Sequence, residues 1–164
     1  MLGPEGCGIL YVSQTVQDSI RPTEFGWSNV AKFNDYSSRD MRLRPDAGRY
    51  ECGTLNTIGC FGLRAALEFI LEVGPGEIAP VVQNLGDRVA AGVEAKGYEL
   101  LGHRSAATGA GIVSFRKSGL ESRETVRRLR SRGIVAAERL GWIRVSPHFY
   151  VSPEEIDRMI AELP

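Results

Sequence analysis

The sequence predicts an α+β fold, a small antiparallel sheet with helices packed on one of its faces. Three observations predict it. After the break at Gly74-Pro75-Gly76 the apolar pattern switches between helical and strand periods in the order helix, two strands, helix, two strands, helix. The last helix announces its own start with a capping box. The helix before the break has so thin a polar face that it needs a neighbour beyond these elements.

Taken in order, Gly8-Ile9-Leu10-Tyr11-Val12 is a short apolar run between glycines and predicts a buried strand, with one or two helical turns over residues 13–20. Residues 21–56 are mostly irregular, a length that is uncommon in a compact domain unless the segment is functional or lies against something else. A helix is predicted over residues 57–73, where Arg64, Glu68 and Glu72 form one narrow polar stripe and the rest is apolar or small. So thin a wet face predicts cover on nearly all sides, and hence a neighbour beyond these elements. Gly74 is the expected domain boundary.

Beyond it, Ile78, Val81, Val82, Leu85, Val89 and Val93 recur every three or four residues and give an amphipathic helix ending near Lys96-Gly97. Strands are predicted at residues 98–101 and 112–115, a helix at 122–132, and strands near 134–137 and 142–146. In the last helix Ser152 caps, Pro153 takes the first position and Glu155 completes the box, while Ile156, Met159, Ile160 and Leu163 share one face.

Lys+Arg and Asp+Glu are both 20, so no net field steers the chain toward nucleic acid or an anionic membrane. At 164 residues it is long enough to bury roughly 70% of its unfolded surface. No apolar run approaches a membrane span and the amino terminus lacks a secretory pattern, so a soluble, cytoplasmic protein is expected, with no nucleic-acid or membrane partner. Cys7, Cys52 and Cys60 make neither a zinc spacing nor a disulfide framework with His103 and His148, and no metal site is expected; their plain reading is small buried thiols.

Strand alternation over Trp142-Ile143-Arg144-Val145-Ser146 sends Ile143 and Val145 into the core and Arg144 to the other face beside an aromatic ring. A guanidinium there is either a solvated side chain or a planar fork for a carboxylate. Gly53-Thr54-Leu55-Asn56 just before a helix reads as a helix entry with a Thr or Asn cap, or as a place where an anion meets the positive end of that helix. Gly109-Ala110-Gly111 precedes a strand and reads as a flexible loop. The arginines at 123, 127, 128, 130 and 132 are mixed with Glu121 and Glu124 and, with Val126 and Leu129 as apolar contacts, read as a solvated helix face.

Arg49-Tyr50-Glu51-Cys52-Gly53-Thr54-Leu55-Asn56 and Ile143-Arg144-Val145-Ser146-Pro147-His148-Phe149-Tyr150, continued by Glu154-Glu155-Ile156-Asp157, together resemble the carboxy-terminal portion of class V aminotransferases, pyridoxal-phosphate enzymes of fold type I. The resemblance runs from Gly3 to Leu163. It implies that residues 1–73 end a cofactor-binding large domain and carry the interdomain helix, and that residues 74–164 form the small carboxy-terminal domain. It assigns Arg144 to the substrate's α-carboxylate, and Gly53, Thr54 and Asn56 to the cofactor phosphate in the neighbouring subunit of a homodimer. Leu55 stands where the family often has proline.

Met1-Leu2-Gly3-Pro4-Glu5-Gly6-Cys7-Gly8 is similar to the turn that follows the cofactor-bearing lysine, and that lysine is not among these residues; Lys32, Lys96 and Lys117 do not sit in its context. By the family pattern the lysine, the partner of the pyridine nitrogen and the ring-stacking residue fall upstream, so the chain alone is expected to be inactive and to have no catalytic residue of its own. Trp27 is the one candidate here for lining a substrate side-chain pocket. Cysteine desulfurases carry a nucleophilic cysteine shortly before the carboxylate-binding arginine, but none lies between Gly133 and Arg144. The resemblance is therefore nearer to the isopenicillin N epimerase-like and general aminotransferase branches, acting on an amino acid. The alternative is a non-catalytic, stand-alone α+β binding or interaction module derived from such an enzyme.

Overall fold

A computed structural model describes residues 2–105 and 107–164, so Met1 of the opening turn and Ala106 lie outside the described residues. The chain divides into two compact units, Met1–Glu72 and Val73–Pro164.

The second unit holds helix α3 (Pro75–Ala95), strands β1 (Glu99–Leu100) and β2 (Val113–Arg116), helix α4 (Ser122–Ser131), strands β3 (Ala137–Arg139) and β4 (Trp142–Val145), and helix α5 (Pro153–Glu162). The four strands form one antiparallel sheet in the order β1-β2-β4-β3. Register follows from alternation: Val113 pairs with Val145 and Phe115 with Ile143, which puts all four on one face. There they meet Leu85, Val89 and Val93 of α3, Leu129 of α4 and Ile156 and Met159 of α5 in one core. Tyr98 meets Phe115 with ring centroids 5.5 Å apart, in the edge-to-face arrangement that aromatic quadrupoles favour.

Helix boundaries here have local causes. Gly97, with φ 78°, ends α3, and Gly133, with φ 76°, ends α4. In each case the glycine's own N–H and the one after it donate to last-turn carbonyls: Gly97 to Glu94, Tyr98 to Val93, Gly133 to Arg130 and Ile134 to Leu129. Ser152 and Glu155 form the reciprocal capping box of α5. Arg88 of α3 grips both carboxylate oxygens of Asp157 on α5. The strand expected near residues 134–137 begins at Ala137, because Ile134 is used in the exit from α4.

The first unit contains α1 (Gln14–Gln17), a 3-10 turn (Ala47–Tyr50) and α2 (Thr57–Val73). Residues 8–12 do not form the buried strand expected of them. Ile9, Leu10 and Tyr11 are 62%, 68% and 85% exposed, and no other segment among the described residues pairs with them. An isolated extended segment has no ladder to close and no second layer to cover it. On α2 only Gly59 and Leu63 are buried, and Ile58 and Phe61 are 87% and 74% exposed.

The irregular stretch between α1 and α2 is held by polar cross-ties in place of an apolar core. Buried Asn29 accepts from the Gly26 N–H and donates to the Glu24 carbonyl, and its own carbonyl accepts from Arg44. Buried Gln17 donates to the Pro45 carbonyl, and Tyr50 donates to the carbonyls of Gln17 and Ile20. Gly26 crosses the chain so closely that a Cβ there falls 1.8 Å from the Cys52 carbonyl oxygen. Backbone cannot yield to that contact. Gly26→Ala is expected to loosen this crossing at a cost of about 1–3 kcal/mol and to speed proteolysis between residues 21 and 56. Gly53→Ala, with nothing within 4 Å of its Cβ position, leaves proteolysis unchanged.

Candidate functional site

The corner at residues 53–56 is built by the same crossing. Ser28 is buried and donates its hydroxyl to the Glu51 and Gly53 carbonyls, which fixes the backbone just before Thr54. Asn56 then opens α2 as its cap. Its Oδ1 accepts from the Gly59 N–H at 2.9 Å, while its Nδ2 donates to the Gly6 carbonyl at 3.3 Å. A Cβ on Gly59 falls 2.4 Å from the Asn56 amide, so the tight cap depends on glycine at that position. The Asn56 side chain is thus committed to shaping the corner and tying it to the turn at Gly6. Thr54 is exposed, and its hydroxyl has no partner among the described residues. Of the three corner residues singled out in the sequence, Gly53 leaves open space, Thr54 offers a free hydroxyl and Asn56 organises the backbone.

Arg144 lies in the middle of β4 between Ser114 on β2 and Ala137 on β3. Its neighbours Ile143 and Val145 are buried in the core, so its side chain belongs to the opposite face of the sheet. That face carries an organised charge cluster. The Arg116 guanidinium stacks 4.2 Å over the Trp142 ring and pairs with Glu99, a cation resting on the negative face of an indole. Arg144 takes no part in an ion pair among the described residues, and its Nε is buried without a hydrogen-bond partner. A buried guanidinium N–H left unpaired costs free energy unless something outside these residues satisfies it. The corner and Arg144 belong to different units, one in each.

His148, four residues on, repeats the pattern. Its Nδ1 is buried without a hydrogen-bond partner among the described residues and its ring stacks on Tyr150 at 5.3 Å. Burial disfavours the imidazolium and holds its pKa below the usual 6.5. As pH falls through about 6.5, the unfolded chain takes up a proton that the folded chain resists. The contribution of His148 is therefore present above that pH and is lost below it. The stability difference between wild type and His148→Gln, from urea unfolding, is expected to move against wild type between pH 7.5 and pH 5.5. A difference independent of pH contradicts this.

The remaining candidates are structurally occupied. Lys96 donates to the Ala161 and Leu163 carbonyls, and Lys117 lies 5.2 Å from the Tyr98 ring centroid. On α4, Arg127 pairs with Glu124 and Arg123 with Glu138 of β3, and just past its end Arg132 pairs with Glu162 of α5. The loop at residues 109–111 is held by Arg104, which donates to the Ala110 carbonyl and pairs with Asp87. Trp27 helps line a cavity of about 380 Å³ in the first unit with Phe25, Phe33, Tyr36 and Met41. The cysteines are not the buried fillers expected: Cys7 is half-buried and Cys52 and Cys60 are exposed, because the first unit has no apolar core to receive them. Among the described residues no His, Cys, Asp and Glu cluster fits a metal ion, and no helix is long and apolar enough to cross a membrane.

Comparison with known proteins adds a family. The model of class V aminotransferases matches residues 1–159. An uncharacterized aminotransferase of Bacillus subtilis is 30% identical over 99% of this chain and 42% of its own length. The apo structure of a cysteine desulfurase from Thermococcus onnurineus superposes with a TM-score of 0.82 at 27% identity, over 97% of this chain and 42% of that one. A variant of the lyase C-DES, solved with glycine covalently linked to its PLP cofactor, shares the fold at a TM-score of 0.77 and 23% identity, over 92% of this chain and 40% of that one. The chain thus spans about two-fifths of the length of these relatives.

Proposed function

This chain belongs to the class V aminotransferase family, and from that premise we propose that it is the carboxy-terminal portion of a pyridoxal-phosphate-dependent enzyme acting on an amino acid. The observation that carries the reading is Arg144, a sheet-centre guanidinium with a buried Nε and no protein partner among the described residues. A carboxylate accepts from both prongs of that fork, which satisfies the N–H groups and orients the amino acid.

The donors present fit the cofactor as well. Gly53 leaves room for a phosphate and the Thr54 hydroxyl is free to donate to it. Asn56 sets the start of α2, whose positive end favours an anion. When bound, pyridoxal phosphate supplies an electron sink for cleavage of a bond at the substrate's α-carbon. The residues of this chain hold the substrate carboxylate and the phosphate. The corner serves the neighbouring subunit of a cytoplasmic homodimer, and the exposed apolar side chains of residues 9–11 and of α2 are the surface that the rest of the protein covers. No lysine of this chain stands in the position that bears the cofactor, so the chain alone is without activity.

Sulfur removal is disfavoured by the hairpin before Arg144. Strands β3 and β4 are joined at Leu140-Gly141, whose φ angles are 51° and 84°. Two residues at positive φ make the short turn of a two-residue hairpin, too tight to carry a mobile thiol, and it holds no cysteine. The reaction classes left are amino transfer, epimerisation and lyase chemistry.

The test is a titration with pyridoxal phosphate, read by absorbance after gel filtration. The full-length protein is expected to retain the coloured cofactor and the 164-residue chain to release it. Thr54→Val in the full-length protein should weaken retention about tenfold, the equivalent of one hydrogen bond to a charged group. A full-length protein that retains no cofactor overturns the proposal. Wild-type retention in the valine variant removes Thr54 from the phosphate site.

A further inference from the structure

Cys7 and Cys60 are 53 positions apart in sequence, yet their sulfurs lie 3.9 Å from one another in the first unit. Three contacts hold this arrangement. Asn56 Nδ2 donates to the carbonyl of Gly6, the residue before Cys7, and the Cys60 N–H donates to the carbonyl of Asn56. Pro4 and Gly3 of the same segment come against Gly62 and Leu63, so closely that a Cβ on Gly3 falls 2.8 Å from Leu63 Cδ1. The two thiols therefore sit on backbone segments already pinned together. Cys60 is exposed and Cys7 half-buried.

From this geometry we propose that Cys7 and Cys60 are a reversible dithiol–disulfide pair, oxidised by thiol–disulfide exchange with low-molecular-weight disulfides of the glutathione type. Bonding requires the sulfurs to close from 3.9 Å to about 2.05 Å. The steps balance. Cys60 gives its proton to solvent, and its thiolate attacks one sulfur of the small disulfide, forming a mixed disulfide and releasing one thiolate that takes up a proton. Cys7 then loses its proton and attacks the Cys60 sulfur, and the second small thiol leaves and is protonated. Two protein thiols are oxidised and one small disulfide is reduced to two thiols.

In the 164-residue chain Cys60 on α2 is the exposed thiol and Cys7 the half-buried one, which makes Cys60 the attacking group and Cys7 the resolving group, and burial raises the Cys7 thiol pKa, which delays its own attack on the reagent. The product ties the Gly6 turn covalently to the first turn of α2, beside the corner at residues 53–56. This pairing stands on the thiol geometry alone and does not depend on the cofactor reading.

The experiment equilibrates the 164-residue chain with mixtures of reduced and oxidised glutathione, quenches with N-ethylmaleimide and maps peptides by mass. Two of the three thiols are expected to disappear together as the mixture becomes oxidising, with Cys7 joined to Cys60 and Cys52 still alkylated. Return to reduced glutathione restores both. Cys52 and Cys60 share the tryptic peptide at residues 50–64, so Cys52→Ser is run in parallel and must oxidise at the same glutathione ratio as wild type. In Cys7→Ser, Cys60 is expected to stop at the mixed disulfide with glutathione. The proposal is overturned if Cys60 stops at the mixed disulfide in wild type while Cys7 stays alkylatable, if Cys60 joins Cys52 instead, or if the link does not reverse.

Discussion

Replacing Arg144 by alanine in the full-length enzyme is expected to lower kcat/KM for the amino acid by on the order of a hundredfold, about 3 kcal/mol, the loss of one bidentate charge-assisted contact. The fall should come largely through KM, because the carboxylate that the proposed function assigns to this guanidinium does not itself react. Arg144→Lys keeps the charge and loses the fork, and is expected to recover about tenfold of that loss. The same substitution should barely move the urea midpoint. Arg144 forms no ion pair with the described residues and its Nε has no hydrogen-bond partner among them, so alanine abandons no ion pair and no hydrogen bond at that nitrogen. A large loss of stability together with an unchanged KM places Arg144 in the architecture instead.

The second large effect is on the small sheet. Phe115 is fully buried between the sheet and its helices and meets Tyr98 edge to face. Phe115→Ala is expected to cost about 3–5 kcal/mol, the transfer of the ring plus the cavity left behind. That is a large part of a stability of about 5–15 kcal/mol typical of a domain. The check is the urea midpoint with the slope m held constant, since a lowered midpoint at fixed slope reports stability alone. Ser114→Ala, on the opposite face of the same strand, is expected to stay within about 0.5 kcal/mol of wild type.

What was legible in the sequence is what rests on local or periodic signals. The helix predicted over residues 57–73 matches α2, and the Ser152 capping box opens α5, because those signals lie within a few residues of each other. The alternation that sent Ile143 and Val145 inward and Arg144 outward needs only a strand and one core. The strand expected at residues 8–12 fails for the complementary reason: a strand exists only with a hydrogen-bonded neighbour, and composition says nothing about whether one is within reach. The irregularity of residues 21–56 was legible but the ties that hold it were not, because they run from Asn29, Gln17 and Ser28 to backbone carbonyls elsewhere along the chain, with no period to betray them.

The candidate site was legible in part. Arg144 and Thr54 stood out through motif resemblance, and the structure adds the unpaired Nε of the one and the free hydroxyl of the other. The buried, partnerless Nδ1 of His148 gave no sequence signal beyond its place in the motif. The pairing of Cys7 with Cys60 had none, since its distance depends on the Asn56 tie between two segments far apart in the chain.

The claim on which the functional account rests is that Arg144 recognises a carboxylate. Its most direct measurement is the ratio of kcat/KM for an amino acid to that for its carboxamide, taken in the full-length enzyme and in Arg144→Ala. The carboxamide is neutral and offers a single acceptor oxygen, so the wild-type ratio is expected to be on the order of a hundred and to collapse to within about threefold of unity in the variant. A variant that discriminates acid from amide as strongly as wild type contradicts the account.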